Sequence, residues 1–406
     1  MNILYILNRF PKISETFILN EIVGLINLGH KVRIVSLLKP LEKKFHKEIR
    51  DYNLIKLTHY LKYRPGHYSR LKTFEKGIKK FFECKFLTKE QKAQLIYLCY
   101  EKKQGKEVAF RKFLDVLNII KIIRKEKIKH IHNHFAGPNV DYAYVLNKVI
   151  GIPYTFTTHA YDIFSEVQKD MKKWANNAKK VIAVSKFNKK YMNKKLGIPL
   201  NKIQIITYSK YLDKLKPLKK HRRSPFKIIS ISRLAEKKGY PYLIEACKIL
   251  KDKKIEFSCE IQGEGPERKK LEMLIKKYRL KNKVKLGEAL THEEVIEFMK
   301  TGSVFVLPCI RAKNGDMDGI PNVLMESMAL EIPTISTDVT GIPELIDNNI
   351  NGIIVPQNNA ESLAQAIIKI KNNPDFADKI RKKGRKKVME KFNVEKNVRK
   401  LVRVFE

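Results

Sequence analysis

The chain has 406 residues, more than one ordinary hydrophobic core holds, so its length predicts two domains. Its composition is 43% hydrophobic, which excludes a disordered chain, and no stretch approaches the roughly 18–20 uninterrupted apolar residues of a membrane span. With 83 Lys+Arg against 42 Asp+Glu the formal charge is +41, which favours polyanionic partners, but the excess is spread along the whole chain and selects no function by itself.

The N-terminus, MNILYILNRFPK, reads as a first buried strand. A secretory leader would place basic residues before a longer apolar run, so the expected location is cytoplasmic. NILYIL is followed by SETFILNEIVGLINLGHK, a predicted helix capped by Ser14 and stopped at Gly29, and then by VRIVSLL. That β-α-β order implies a parallel sheet. Residues 41–127 break the rhythm as a Lys-rich insertion that reads as mostly helical (RLKTFEKGIKKFF, VLNIIKIIRKE). Alternation resumes with HIHNHF, YTFTTH, VIAVS and IQIIT, which completes an N-terminal domain over 1–207. A polar, proline-bounded linker covers 208–225. FKIISIS, IEFSCEIQG, VKLG, VFVLP, PTIST and GIIVP then form the strands of a second parallel sheet over 226–373. From Pro374 the chain is helical to residue 406, and these helices are expected to pack back toward the N-terminal domain. The fold class is therefore α/β: two β-α-β domains in tandem, their parallel sheets facing a central cleft where ligands bind beyond the strands' C-terminal ends. Cys84, Cys99, Cys247, Cys259 and Cys309 show no C-x-x-C spacing and read as reduced thiols.

The stretch NGDMDGIPNVLMESMALEIPTIST, residues 314–337, offers two pairings of acids. Asp316 and Asp318 spell D-x-D, a divalent-metal pattern; Asp318 and Glu326 stand eight positions apart around a helix start. Pro321 suits the first helical turn, and both Asp318 and Glu326 can then point at one ligand, a carboxylate being a common holder of ribose hydroxyls. The bland reading is a capping Asp318 and a surface Glu326. Arg233 and Lys238, in ISRLAEKKG, lie at a strand end on a turn closed by Gly239, where they either neutralise a diphosphate or are surface charges. Gly263 and Gly265 in IQGEGPERKKLE permit a tight turn. TTHAYD puts His159 and Asp162 at a first-domain strand end. His130, His132 and His134 alternate along a strand, so they share one face and make zinc conceivable.

Taken in order, FPKISETFILNEI, HNHF, THAYD, SRLAEKKGYPYLIEA, GEGP, DGIPNVLMESMA and GIPEL resemble the retaining glycosyltransferases of family 4, also called group 1. The nearest branch builds bacterial exopolysaccharide and includes colanic-acid-type enzymes. The resemblance covers nearly the whole chain apart from 41–127 and the linker. It implies the GT-B fold, two Rossmann-like domains with the nucleotide-sugar held mainly by the second. It places Asp318 and Glu326 on the family's E-x7-E motif, Glu326 toward the ribose and Asp318 toward the donor sugar, with Gly319, Ile320, Pro321 and Asn322 also donor-binding. Arg233 and Lys238 match the pair on the donor diphosphate, His159 the histidine near the reacting carbon, and Gly263 and Gly265 the donor-side loop. Ser14, Glu15 and Thr16 occupy the place of a glycine-rich loop near the phosphate and acceptor, and His134 and Asp162 fall on the acceptor side.

Because GT-B enzymes use cations and a helix dipole where GT-A enzymes use D-x-D metal, the resemblance implies no metal and no cofactor, and it leaves the three histidines without need of zinc. The expected function is metal-independent, retaining transfer of a hexose or N-acetylhexosamine from a nucleotide-diphosphate sugar to a lipid-linked or growing saccharide. The protein would sit peripherally on the anionic inner face of the cytoplasmic membrane, with 41–127 as the contact. The rivals are a GT-B sugar-nucleotide epimerase, a non-catalytic glycan-binding protein and a nucleic-acid-binding protein, though no nucleic-acid-reading module is visible. Three departures stand out: Asp318 replaces a Glu, ITYSKYLDKLKP lacks the Gly and Asp of the family's NGVD-like segment, and MES replaces MEA.

Overall fold

The computed structural model describes residues 1–42, 45–61, 86–101, 106–208, 210–212, 215–217 and 225–406. Two parallel sheets organise the chain. The first has the order β3-β2-β1-β4-β5-β6-β7, with β1 Asn2–Arg9, β2 Lys31–Leu38, β3 Thr58–Tyr60, β4 His130–His134, β5 Tyr154–Thr158, β6 Lys180–Ala183 and β7 Ile203–Ile205. The second has the order β10-β9-β8-β11-β12-β13, with β8 Lys227–Ile231, β9 Ser258–Gln262, β10 Val284–Leu286, β11 Val304–Leu307, β12 Thr334–Thr337 and β13 Ile353–Val355.

β1 and β11 carry continuous apolar runs, Ile3–Leu7 and Val304–Leu307, as helices covering both faces of a parallel sheet require; β5 is just as buried although its sequence is Tyr-Thr-Phe-Thr-Thr. In each sheet the winding reverses beside the first strand. β1 pairs with β2 on one side and β4 on the other, and β8 pairs with β9 and with β11. Ligand crevices of open α/β sheets form beyond such switch points, so the segments leaving β1, β4, β8 and β11 define where a site belongs.

Local chemistry explains the connections and corrects some expectations. The first helix spans Thr16–Asn27 and buries Ile18, Leu19, Ile22, Val23 and Leu25. Ser14 does not cap it: Glu15 holds the cap position without a side-chain bond, its carboxylate being taken by Lys12 at 2.7 Å. Gly29, at φ +83°, ends the helix by letting His30 N–H reach back to Leu25 O at 3.0 Å. The insertion is not wholly helical. The helices Lys47–Asp51, Lys89–Tyr100 and Lys106–Lys125 are joined by β3, which extends the edge of the first sheet, while RLKTFEKGIKKFF lies outside the described residues. No helix among the described residues is long and apolar enough to cross a membrane. Cys99, Cys247, Cys259 and Cys309 are free and buried, and Cys84 lies outside the described residues.

The last helix, Val394–Phe405, lies on the first. A Cβ on Gly24 would stand 2.7 Å from Val394 Cγ1 and 2.9 Å from Val398 Cγ2, so the missing side chain lets the two helices close together. Phe405 reaches the sheet and stacks on His130, ring centroids 4.4 Å apart.

Candidate active site

The second sheet supplies one wall. The loop leaving β8 packs on the loop leaving β9. Gly263 and Gly265 have φ of +143° and +157°, and a Cβ would come within 2.0 Å of Ser232 O and 2.3 Å of Leu234 O. The close approach these glycines permit is therefore to their own protein's backbone. Beyond them comes the short turn Glu236–Lys238, closed by Gly239 at φ +66°, where a Cβ would be 1.9 Å from Pro308 O. That contact seats the turn beside the exit of β11 and delivers two lysines to the loop 314–320. Lys238 Nζ lies 2.6 Å from Asp318 Oδ2; Lys237 Nζ lies 3.0 Å from Asp316 Oδ2 and 3.5 Å from Asp318 Oδ1.

The electrostatics of Asp318 follow. Burial alone would raise its pKa, but Lys238 and then Lys237 outweigh burial, and the net shift is downward. Burial would lower the pKa of Lys238, and the Asp318 charge reverses that, so the net shift is upward. The Cys309 thiol, 3.6 Å from Asp318 Oδ2, is pushed up by burial and then by that carboxylate. Both partners of the pair are thus charged at neutral pH. The loop is fixed from behind by Thr340, whose hydroxyl donates to Gly319 O at 2.7 Å.

The helix after this loop spans Asn322–Ala329 with Pro321 at the cap position, one place earlier than the first helical turn. Its φ of −61° fits either place, but its extended ψ of 129° carries the chain in from the loop. Glu326 lies in the second turn and is only 4% exposed, so it is not a surface residue. Its Oε1 accepts from Lys210 Nζ, while its Oε2 has no hydrogen-bond partner among the described residues. Lys210 comes from the stretch read as a solvated linker and is itself 6% exposed. Its N–H donates to Phe392 O at 3.1 Å where the two chain crossings between the sheets run side by side. Arg233 stands exposed on the loop after β8 and pairs with no acid among the described residues.

The first sheet supplies the opposite wall. His134 ends β4, and His159 follows β5; they are 3% and 4% exposed. Asp162 clamps their loops together, its two carboxylate oxygens accepting from Ala136 N–H and His159 N–H, each at 2.8 Å. Burial pushes the Asp162 pKa up to about 6 against the pull of those backbone N–H groups. His159 packs between Phe17 and Phe135, with ring centroids 4.6 and 4.3 Å away. A cleft of about 490 Å³ opens beside His134 and Asp162 and is edged by Arg9, Lys12, Glu15 and Glu166. Glu15 faces that cleft; Ser14 and Thr16 do not line it.

The walls meet through two contacts. Tyr208, stacked on His159 with its hydroxyl 3.3 Å from Nδ1, also lies 3.7 Å from where a Cβ on Gly319 would stand. Glu344, in GIPEL, crosses to the first domain and accepts from Lys186 N–H at 2.8 Å and Phe187 N–H at 2.9 Å, at the start of the helix Lys186–Leu196. Tyr208 thus links His159 to the loop that carries Asp318 and Gly319, with Lys238 paired to Asp318, while Glu326 pairs with Lys210. Lys237, Lys210, Tyr208 and Glu344 were not singled out from the sequence. A lysine in a basic run and a tyrosine in a linker carry no local signal; only the neighbouring GIPEL motif pointed near Glu344.

Hydrogen bonds hold two of the strand histidines on both nitrogens, whereas His130 meets Thr155 through Nε2 at 2.9 Å and leaves its buried Nδ1 without a partner among the described residues. Ligand atoms of Glu21, His132 and His134 lie within 4.8 Å of one another, a spacing that would suit a metal. Yet both His132 nitrogens already face hydroxyls, Thr155 at 2.7 Å and Thr157 at 3.0 Å, and His134 bridges Glu21 and His159.

Two parallel sheets of seven and six strands, each wound both ways from its first strand, give the GT-B architecture. A sequence model described as Glycosyltransferase Family 4 matches residues 101–207, and one described as Glycosyl transferases group 1 matches residues 213–387. The chain is a glycosyltransferase built of these two family domains in succession. It is 28% identical to WcaL of Escherichia coli, a protein named for colanic acid biosynthesis, over 97% of this chain and 96% of that one. It is also 28% identical to the amylovoran biosynthesis glycosyltransferase AmsK of Erwinia amylovora, over 100% and 99%. Among solved structures, HepE of Anabaena in complex with UDP-glucose superposes with a TM-score of 0.70 at 15% identity, covering 99% of this chain and 98% of that one.

Proposed function

We propose that this glycosyltransferase moves a hexose or N-acetylhexosamine from a nucleotide-diphosphate sugar to a lipid-linked or growing saccharide, with retention and without a metal, in cell-surface polysaccharide synthesis. The observation that carries the reading is the charged Lys238–Asp318 pair beside Gly319, facing His159 across Tyr208. An ammonium has three donors, so Lys238 can hold Asp318 and still meet a diphosphate, with Arg233 as the second cation. Stabilising the departing diphosphate is then the largest catalytic contribution. Asp318 holds donor-sugar hydroxyls, and Glu326 offers Oε2 to the ribose. The names of WcaL and AmsK supply the polysaccharide context, and the UDP-glucose in HepE supplies the donor class.

Metal independence is supported by Lys237, whose ammonium stands between Asp316 and Asp318, where a D-x-D cation would need to be. The acceptor occupies the cleft beside His134 and Asp162, which favours transfer over epimerisation, a reaction that needs no second substrate. The basic surface holds the protein at the anionic cytoplasmic face of the membrane, each nearby Lys or Arg contributing about 1 kcal/mol. A thermal-shift screen over nucleotide-sugars identifies the donor. Nucleotide release is then followed with and without saccharide acceptor. Release that depends on acceptor is expected; rapid acceptor-free conversion to an epimer would establish the rival.

A further inference from the structure

Three stretches of chain flank the cleft beside His134 and Asp162: residues 9–15 after β1, residues 38–42 at the end of β2, and residues 161–168 after β5. The first two are tied together. Phe10 N–H donates to Ser36 Oγ at 2.9 Å, the Ser36 hydroxyl donates to Leu38 O at 2.7 Å, and the Arg9 guanidinium donates to Lys39 O. His46 Nε2 stands 2.9 Å from Ile13 O. The third stretch is the short helical turn Tyr161–Ser165 and its continuation, held by the Asp162 clamp.

These anchored stretches carry apolar side chains into solvent. Ile13, Leu38, Leu41, Tyr161 and Val167 are 37–80% exposed. Leu38 and Tyr161 line the cleft themselves; Ile13 lies between the lining residues Lys12 and Glu15, and Val167 between Glu166 and Gln168. Single exposed apolar residues are ordinary, but five round one opening mark an interaction surface. The cavity they flank is lined by polar groups, among them Asn8, Arg9, Glu15 and His134, so it is polar within and apolar at its edge. A peptide or helix docks along one continuous edge or groove. Side chains from three separate stretches round a cavity mouth suit a fluid surface instead. Exposed Lys39 and Lys169 stand among them, and lysine and tyrosine are residue types that sit at a lipid headgroup boundary. The +41 charge of the whole chain draws it to an anionic membrane.

We propose that Ile13, Leu38, Leu41, Tyr161 and Val167 enter a phospholipid bilayer, so that the cleft opens directly onto the membrane. The proposal rests on the cleft being the acceptor site. It selects the lipid-linked acceptor, with the saccharide head in the cleft and the apolar tail left among the lipids. It also moves the membrane contact from the helices of the insertion to the cleft mouth. Ile96, Tyr97, Tyr100 and Val108, exposed on the helices Lys89–Tyr100 and Lys106–Lys125, do not line the cleft and are the rival contact.

The test uses the full chain and vesicles of phosphatidylethanolamine and phosphatidylglycerol. Charge alone would bind the protein to them, but at about 1 M salt the screening length is only about 3 Å and that attraction is lost. Apolar insertion survives, so the wild type should still float with the vesicles. Ile13→Ser combined with Leu41→Ser should lower this salt-resistant binding by about tenfold or more. Tyr97→Ser combined with Val108→Ser should leave it unchanged. All four side chains are exposed, so both variants should keep the fold. Leu41→Trp locates the contact: the native Trp174 is 2% exposed, so quenching by vesicles with brominated acyl chains reports position 41. Strong quenching is expected. A wild type released by salt, equal loss in the two paired variants, or an unquenched Leu41→Trp protein overturns the proposal. If position 41 enters the bilayer but no sugar is transferred from any nucleotide-sugar, the membrane surface stands and the transferase reading is what falls.

Discussion

Asp318 carries its charge between two ammonium groups and a thiol. The lysines draw the carboxylate toward the turn Glu236–Lys238, so its place is set by ion pairing as much as by its own reach. Asp318→Asn should lower turnover by about 10²-fold, the scale of losing one preorganised polar group, while nucleotide alone still binds through Glu326 and the cations. Steady-state rates and calorimetric titration with free nucleotide check this; normal turnover in Asp318→Asn would reduce the residue to a structural role. Asp162 gives a pH signature. Its folded-state pKa of about 6 lies above the ~3.9 of an unfolded aspartate, so its contribution to stability is full below about pH 4 and lost as pH rises through about 6. Denaturant midpoints from pH 4 to 7 should therefore contain a falling component that Asp162→Asn lacks, and identical pH profiles would contradict the assignment.

Gly239 shows how an element places a side chain. The helix Tyr240–Asp252 can start against β11 only because no Cβ stands between residue 239 and Pro308 O. Gly239→Ala should push the preceding turn outward, carry Lys238 off Asp318, and cost both stability and activity; equal melting temperature and kcat would show that the turn accommodates a methyl group. Strands such as VFVL were legible because a strand buried on two faces tends to be an apolar run, and TIST was legible by its β-branched residues. β3 was not: Thr58–Tyr60 is three residues at a sheet edge, none of them fully buried, and neighbouring lysines made the segment read as helix. That Asp318 and Glu326 straddle a helix start was legible from Pro321 and the apolar run that follows it. The lysine that pairs with Glu326 was hidden, since Lys210 stands in a lysine-rich stretch and only tertiary placement turns it inward. Glu21 was hidden for the converse reason, being one acid in an amphipathic helix whose pattern does not say which polar residue is buried.

At the scale of the molecule, the domains are joined where Lys210 meets Phe392 and Asn393, with Asn397 Nδ2 donating to Tyr208 O at 3.2 Å and Thr207 donating to Lys391 O at 3.1 Å. The same crossing sends Tyr208 to His159 and Lys210 to Glu326, so the joint and the site share residues. Lys210→Met leaves a buried carboxylate without its cation, a change that typically costs about 3–5 kcal/mol. It should lower the melting temperature and weaken nucleotide binding roughly tenfold, about 1.4 kcal/mol, with Lys210→Arg retaining much of both; calorimetry showing wild-type affinity in Lys210→Met would detach the linker from the donor site. The central claim is a nucleotide-sugar transfer in which protein cations replace a metal and the sugar keeps its configuration. Proton NMR of the product formed in excess EDTA tests it most directly, since the anomeric coupling constant and the initial rate come from one time course. The account predicts a product with the donor's own anomeric configuration, formed at a rate unchanged by the chelator. An inverted anomer, or no product until Mn²⁺ is restored, would contradict it.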